Sequence, residues 1–588
     1  MRSASRDGRS LSRRGRLALC LLSGLLLSLA FPPAGLWWLA WVALVPWMAA
    51  LRMGSRLWAF LGSWLGGMAF FGVLLSWLHL FGLSVWLLVT VLLGAYLAIW
   101  GVCVRRLGHF RPAARLLGTA ALWCGVEWTR GLGAYGFTWG WLGYSQSPML
   151  PFLPFARYAG TLGLSFLIAL VNVSLAEILV AVIRKTGFPA ALGRAVLGCA
   201  VAAALLGGAS LRARSPAAGQ APRVRVAVIQ GSDHGPLAAK DVNVALTPEE
   251  QAHTFDVYES LTLRAAEQSP ALVVWPESVL PSDPEDDPSV AARVSAIVRR
   301  ANVWLLAGGP ATDARGRPAN SAYLYAPTGN VVARYDKVQL VPFGEYVPLR
   351  GRLPFLERYH VREQDFVAGV SHRVLQAGTI SLGPTICFES TFPDISWELV
   401  RKGAQVLVMI TNDSWFGRTA AAAQHRQIAV LRAVESGRWV LRAASTGISS
   451  IITPEGRIVE QAGLYQPAVL TADVPLLTGQ PAGVRLGPAF GWLLLALALA
   501  FVIAPAAARR GGSARPPGRR ARRARGVRFA AGSRDAPPLL RETRTALRAS
   551  GLTQRDSASA SRKTASPNGR WEMLGFMYSQ CRRFTGTA

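Results

Sequence analysis

The sequence predicts a polytopic α-helical membrane protein that carries one large α/β domain. Three observations predict it. Of 588 residues, 51% are hydrophobic and only 16% are charged, against roughly 25% charged in a soluble domain. Apolar runs follow one another through the first third of the chain, and one more comes late. Between them, from about residue 221 to 480, a polar section alternates β-rich runs with helical stretches. The composition excludes a disordered chain and fits a purely soluble globule poorly. The 20 tryptophans suit a protein that meets a bilayer interface.

The apolar runs are 17–31, 35–51, 57–78, 82–103, 113–129, 159–183 and 189–211, with a last one at 487–506. Most approach the roughly 20 residues that cross a hydrocarbon core. The basic connections alternate with the others. Arg52 and Arg56, then Arg105, Arg106, Arg111 and Arg115, then Arg184, Lys185 and Arg194 mark every second one. The positive-inside rule then places the N-terminus inside, the polar section outside and the chain end inside again. The first run has the shape of a signal-peptide core. Six further runs follow it, and Ala30-Phe31-Pro32-Pro33 is a poor cleavage site, so a retained helix is expected.

The organisation read from the sequence has five parts. They are a basic cytoplasmic N-terminus (1–16), a seven-span membrane domain (17–211), the α/β domain (221–480), a C-terminal span (487–506) and a basic, disordered cytoplasmic tail (507–588). The net charge of +30 is uneven, because the stretch from Arg509 holds 19 Lys and Arg against four Asp and Glu. Beside a membrane span such a tail reads as a topology signal that touches anionic head groups, not as a nucleic-acid arm.

In the polar section, short β-rich runs are Val224–Ile229, Ala271–Trp275, Val303–Ala307, Ser321–Ala326, Val406–Ile410 and Ser449–Thr453. Helical stretches lie at Pro248–Gln268, Ser289–Ala301 and Gln424–Arg438. Three short motifs put a reactive group at an expected strand end, where loops present catalytic residues. They are Trp275-Pro276-Glu277-Ser278, then Tyr335-Asp336-Lys337 with Leu340-Val341-Pro342-Phe343-Gly344-Glu345 behind it, then Ile386-Cys387-Phe388-Glu389-Ser390. Each is weak alone, and the combination carries chemistry. A thiol needs a base to become a nucleophile, and a carboxylate can be that base. An ammonium can favour the thiolate and then hold an oxyanion. Of the six cysteines only Cys387 lies in this section, and no C-x-x-C pair suggests a metal.

The order Glu277, Lys337, Cys387 in these surroundings resembles the nitrilase, or carbon-nitrogen hydrolase, superfamily. The words LVPFGEYVP and CFES, with Thr411-Asn412-Asp413-Ser414-Trp415-Phe416-Gly417 downstream, are narrower. Together with seven spans, an external domain and a closing span, they resemble the bacterial apolipoprotein N-acyltransferase family over roughly residues 15–507. The resemblance implies an α-β-β-α sandwich outside the inner membrane. It implies Cys387 as nucleophile, Glu277 as general base and Lys337 as oxyanion stabiliser. Glu345 orients Lys337 or the amine, Phe388 supplies a backbone N–H, and Glu389 supports the pocket. Trp415 and Phe416 flank the opening and contact acyl chains. The implied reaction moves an acyl chain from a phospholipid, at sn-1, through a thioester to the α-amine of a diacylglyceryl-cysteine on an apolipoprotein. No metal, nucleotide or other cofactor is implied, and a membrane-embedded monomer is expected.

Two departures touch the substrate loops. Gln230-Gly231 is not followed by the Trp of some relatives, and Arg418–Ala423 is alanine-rich. The nearest alternative keeps the fold and passes the acyl group to water, as a membrane-tethered amidase. A second uses a Cys–His pair with His425 or His372, and a third is a transporter or scaffold. The aromatic loop 130–158 either lines the access to the site or forms an ordinary interfacial belt, and Glu127 with Arg130 reads as a helix-end ion pair.

Overall fold

The computed structural model describes residues 11–212, 221–232, 247–348, 350, 352 and 364–504. The tail read at 507–588, most of the basic N-terminus and the stretch after Ser232 lie outside them.

Helix is present in each of the eight predicted spans. The helices are α1 (Arg13–Ser28), α2 (Val45–Leu51), α3 (Arg56–Leu74), α4 (Leu83–Leu107), α5 (Pro112–Arg130), α6 (Ala156–Arg184) and α7 (Phe188–Arg212), with a late one at Pro488–Ile503. Among the described residues, four helical stretches are long and apolar enough to cross a membrane: Arg56–Leu74, Leu83–Leu107, Leu153–Arg184 and Phe188–Arg212. Trp37–Leu51 and Pro488–Ile503 are apolar but shorter.

The reasons differ from helix to helix. At about 1.5 Å per residue, the 16 residues of α1 fall short of the hydrocarbon thickness. The second predicted span breaks between a 3-10 turn at Trp37–Trp41 and α2. A polar side chain inside the bundle satisfies that break. Asn172 of α6 accepts from the Leu44 N–H at 2.9 Å and donates to the Ala40 carbonyl at 2.8 Å. In α5, the charged residues Arg115, Glu127 and Arg130 dilute the apolar run. The exposed large apolar side chains concentrate on these helices, among them Leu57, Leu83, Leu92, Ile99, Val196 and Leu493. On a soluble protein so much apolar surface would drive association.

The polar section forms two six-stranded sheets. The first contains β1 (Arg223–Gln230), β2 (Leu272–Val274), β3 (Trp304–Thr312), β4 (Pro318–Tyr325), β5 (Val331–Asp336) and, at its edge, β12 (Ala468–Pro475), in the order β12-β1-β2-β3-β4-β5. The second contains β6 (Leu375–Ala377), β7 (Ile380–Ile386), β8 (Val406–Thr411), β9 (Trp439–Ala444), β10 (Ser450–Ile452) and β11 (Ile458–Gln461), in the order β11-β10-β9-β8-β7-β6. β1, β2 and β3 run parallel, as do β7, β8 and β9.

The inner faces pack on each other through alternate residues such as Val226, Val228, Leu306, Leu324, Ile386, Val408 and Leu441. The outer face of the first sheet is covered by α8 (Pro248–Ala266) and α9 (Pro288–Ala301) through Phe255, Tyr258, Val294 and Ile297. α8 starts at a Thr247/Glu250 capping box. The outer face of the second sheet meets α10 (Pro393–Arg401) and α11 (Ala421–Ser436), which share one apolar cluster with the helical bundle. Short α12 (Ala482–Leu486) leads into α13 (Pro488–Ile503). The layers are therefore helix, sheet, sheet, helix, with the last helical layer seated on the bundle.

Polar contacts pin that seat. Gln424 of α11 accepts from the indoles of Trp77 (3.2 Å) and Trp139 (2.8 Å) and donates to the carbonyls of Pro32 and Leu74 (3.0 Å each). Every polar position of that amide is filled, as burial requires. Thr138 and Tyr144 donate to the Thr391 carbonyl at 3.0 and 3.1 Å. Glu435 accepts from the Thr161 N–H, just past the kink at Gly160 in α6. The loop 130–158 is thus not a free interfacial belt but is packed against the sandwich, with Phe137 on Phe388 and Trp139 on Phe416. Within it Trp139, Trp141 and Tyr144 are buried, and Tyr135 is well exposed.

Candidate active site

Strand ends supply the site. β2 ends at Val274, and Glu277 follows three residues later. β5 ends at Asp336, directly before Lys337. β7 ends at Ile386, directly before Cys387. β2 and β7 have parallel neighbours, and their carboxyl ends are where open α/β sheets place ligands; β5 is an edge strand that pairs antiparallel with β4.

Lys337 is 1% exposed and lies between two carboxylates. Its Nζ is 2.9 Å from Glu345 Oε1 and 3.5 Å from Glu277 Oε1. Asn320 on β4 fixes both acids, its Nδ2 donating to Glu277 Oε1 at 2.7 Å and to Glu345 Oε1 at 2.9 Å. The second oxygen of Glu277 accepts from the Asn412 backbone N–H at 2.7 Å, and that of Glu345 from the Val341 N–H at 2.8 Å. Each carboxylate is thus held at both oxygens, which fixes where a proton would be accepted.

Backbone strain gathers here. Ser278, Phe343 and Cys387 have φ of +56°, +65° and +52°. For non-glycine residues each costs on the order of 1 kcal/mol or more and persists only where surroundings enforce it. Ser278 follows the first acid, Phe343 lies between Lys337 and Glu345, and Cys387 is the thiol itself.

One glycine is required by close approach. A Cβ on Gly308 of β3 would lie 2.6 Å from both Glu277 Cα and the Pro276 carbonyl. Those are backbone atoms and cannot swing aside. Gly308→Ala is therefore expected to push Glu277 out of place, costing about 1–3 kcal/mol of stability and changing the reactivity of the neighbouring Cys387 thiol. Thermal unfolding and the rate of thiol alkylation measure the two effects.

The electrostatics favour a neutral thiol at rest. Burial pushes the Cys387 thiol well above the usual cysteine range, and the Glu277 carboxylate adds to that. Lys337 and the Thr411 hydroxyl pull the other way without overcoming it. Burial alone would lower the Lys337 ammonium, but Glu345 and then Glu277 outweigh it, so the group stays charged. The arrangement provides a carboxylate to take the thiol proton and a fixed cation beside the place where negative charge would develop.

The remaining predicted residues divide. Glu389 is fully buried and is spent on the backbone. It accepts from the N–H groups of Val338 (2.7 Å), Gln339 (3.1 Å) and Ile386 (2.8 Å) and from the Tyr335 hydroxyl. It thereby ties the loop after Lys337 to the strand end before Cys387. Phe388 packs on Phe392 and Phe137, with centroids at 5.1 and 6.2 Å. Trp415 stacks on Phe81 of the bundle at 6.3 Å, and Phe416 meets Trp77 at 4.9 Å and Trp139 at 6.1 Å. The rim is thus built jointly by the sandwich and the bundle.

His425 does not pair with the thiol. Its Nε2 is 2.8 Å from Ser390 Oγ, and its Nδ1 is 3.2 Å from Asp413 Oδ1 and from Arg442 Nη2. Asp413 also pairs with Arg442 at 2.6 Å. This buried cluster props the turn after Cys387, where Ser390 donates to the Cys387 carbonyl at 2.7 Å. His372 pairs with Glu398 instead. Glu127 and Arg130 also differ from expectation, since both bond to other groups. Glu127 accepts from the Trp123 indole and the Leu142 N–H, and Arg130 donates to the Trp139 carbonyl.

Asn320 and Arg442 carry no sequence signal that singles them out as site residues; Asn412 and Asp413 lie in the word Thr411–Gly417, which by itself assigns neither of them a role. Gly308 did carry one, as half of a Gly-Gly pair inside a strand, a pattern that marks close backbone approach.

A two-sheet sandwich with Glu, Lys and Cys at its strand ends defines a carbon-nitrogen hydrolase domain, here mounted on membrane helices. Residues 225–482 match the carbon-nitrogen hydrolase family, and residues 23–174 match the apolipoprotein N-acyltransferase N-terminal domain. The apolipoprotein N-acyltransferase of Geobacter metallireducens is 36% identical over 504 residues, 83% of this chain and 95% of its own. That of Azotobacter vinelandii is 33% identical over 485 residues, 78% of this chain and 89% of its own. The chain belongs to the apolipoprotein N-acyltransferase family. Among solved structures it resembles a nitrilase-superfamily amidase from Nesterenkonia sp. AN1, at 22% identity and a TM-score of 0.34, covering 45% of this chain and 96% of that one.

Proposed function

We propose that this chain transfers an acyl chain from a phospholipid to the N-terminal diacylglyceryl-cysteine of an apolipoprotein, in two half-reactions through Cys387. The observation that carries the reading is the enclosed set of Glu277, Lys337 and Cys387 under a rim shared with membrane helices. A lipid ester can reach such a site from the bilayer.

In the first half-reaction Glu277 takes the Sγ proton as sulfur bonds to the ester carbonyl carbon at sn-1. The oxyanion forms beside Lys337 and the Phe388 backbone N–H. Collapse breaks the C–O bond, Glu277 returns the proton to the leaving oxygen, and a lysophospholipid departs from the thioester. In the second, the α-amine attacks the thioester, Glu277 takes its proton, and the amide forms as the thiol is regenerated. Glu345 keeps Lys337 in place throughout, and Trp415 and Phe416 contact the acyl chains.

We also propose eight spans in the bacterial inner membrane, with both termini cytoplasmic and the sandwich on the periplasmic side. The arginine-bearing connections at 52–56, 107–112 and 184–188 all lie at the bundle end away from the sandwich, which supports this orientation.

The test is product analysis. Purified protein with phospholipid and a diacylglyceryl-cysteine peptide should yield N-acyl peptide. Free fatty acid as the main product, with the peptide present, would assign it to the hydrolases instead.

A further inference from the structure

The bundle end opposite the sandwich gathers more positive charge than it neutralises. The chain reaches the sandwich at the connections 74–83 and 130–156, so the connections one helix away, at 52–56, 107–112 and 184–188, lie at the far end. Between residues 11 and 212 the only acids are Glu127 and Glu177, and only Glu177 is at this end.

Glu177 of α6 receives three guanidinium groups. Arg115 of α5 makes two bonds to it, at 3.2 and 2.8 Å. Arg52, at the end of α2, reaches it at 2.5 Å, and Arg194 of α7 at 3.1 Å. One carboxylate thus balances one of three charges. Two more arginines are held nearby by carbonyls, which carry no formal charge. Arg184 donates to the Arg52 carbonyl at 3.0 Å, and Arg105 to the Gly54 carbonyl at 2.6 Å. Arg52 lies within electrostatic reach of Arg115 and Arg184, and Arg105 within reach of Arg184 and Arg56.

Arg115 takes both oxygens of Glu177, so Arg52 and Arg194 have donor capacity left over. The Nε of Arg194 is buried without a hydrogen-bond partner. Buried donors call for an acceptor, and crowded like charges call for an anion. Neighbouring in sequence are the exposed apolar side chains Val182, Phe188 and Leu192. An anion with hydrocarbon attached satisfies both features.

We propose that Arg52, Arg184 and Arg194 bind the phosphate of one anionic phospholipid, of the phosphatidylglycerol or cardiolipin class, whose acyl chains lie along α6 and α7. The guanidinium fork suits phosphate oxygens, and basic pockets between membrane helices bind such head groups. This site is at the opposite end of the bundle from Cys387 and takes no part in acyl transfer.

Native mass spectrometry of the full-length protein tests it. The probes are diether phosphatidylglycerol, diether phosphatidylethanolamine and inorganic phosphate, none of which can donate an acyl chain. The wild type is expected to retain one phosphatidylglycerol in preference to phosphatidylethanolamine. Arg194→Gln should weaken that retention by about tenfold, the value of one charge-assisted hydrogen bond, while thioester formation on an ester phospholipid is unchanged. Arg184→Gln, whose bond goes to a carbonyl and not to Glu177, should do the same without disturbing the carboxylate. Equal retention of the two lipids, equal retention by wild type and both variants, or displacement by inorganic phosphate at the lipid's own concentration would each overturn the proposal.

Discussion

Glu277→Gln is expected to slow acylation of Cys387 by about 10²–10⁴-fold, the range for losing a positioned general base. The side chain keeps its length and burial, so the loss reports proton acceptance. One cost accompanies it. Both oxygens of Glu277 accept, from Asn320 Nδ2 and from the Asn412 N–H. An amide turns one acceptor into a donor facing a donor, worth about 1–3 kcal/mol of stability.

A second readout separates base loss from misfolding. The Glu277 carboxylate helps hold the thiol up, while Lys337 pulls it down. Removing the carboxylate leaves the cation, so the Cys387 thiol titrates at lower pH in the variant. More thiolate is then present at a given pH, and the pH profile of iodoacetamide alkylation shifts to the acid side. A variant that alkylates more readily yet acylates far more slowly has lost its base. Parallel loss of both would indicate a collapsed site.

The second large effect is expected for Lys337→Met. Met fills much of the same volume but leaves Glu277 and Glu345 facing each other in a buried site, with Asn320 Nδ2 between them. Breaking a buried ion pair by removing one partner costs about 3–5 kcal/mol. Loss of the cation beside the developing oxyanion costs about 10²–10³-fold in acylation rate. The sign with pH is definite. The ammonium is held above its ordinary value in the folded protein, so its contribution to stability is full below the ordinary lysine range and is lost only as pH rises through its folded value. At neutral pH the wild type keeps that contribution and Lys337→Met does not. Chemical denaturation at pH 7 and single-turnover acylation measure the two losses.

Much of this architecture was legible in the sequence, for physical reasons that can be named. The helices at 248–266, 288–301 and 421–436 fall within a few residues of the predicted stretches, because their caps and apolar faces are local features. Strands β2 and β8 were visible as unbroken apolar runs, as buried parallel strands are. Strands β5, β7 and β9 were not singled out. β5 reads Val-Val-Ala-Arg-Tyr-Asp, β7 contains Gly383 and Pro384, and β9 contains Arg442, so none of them is an unbroken apolar run. The membrane part was half legible. Apolar runs showed where helices lie, but not that one of them breaks and has its freed backbone groups satisfied by Asn172.

In the site, the residues that follow strand ends could be read from short words. Asn320 could not, because it sits within a strand in Ala-Asn-Ser-Ala and matters only through the acids that follow β2 and β5. Nor could the Asn412 contribution, since it is a backbone N–H. The Asp413–His425–Arg442 cluster draws on three separate elements, which no spacing in the chain reveals.

The central claim is that Cys387 carries the acyl group, and intact mass spectrometry tests it most directly. Wild-type and Cys387→Ser protein would be incubated with a defined phospholipid, then with a diacylglyceryl-cysteine peptide. The account predicts a hydroxylamine-sensitive gain of one acyl chain on the wild type alone, discharged as the N-acyl peptide. No gain on a folded wild type, or a hydroxylamine-sensitive gain of the same size on Cys387→Ser, would contradict it.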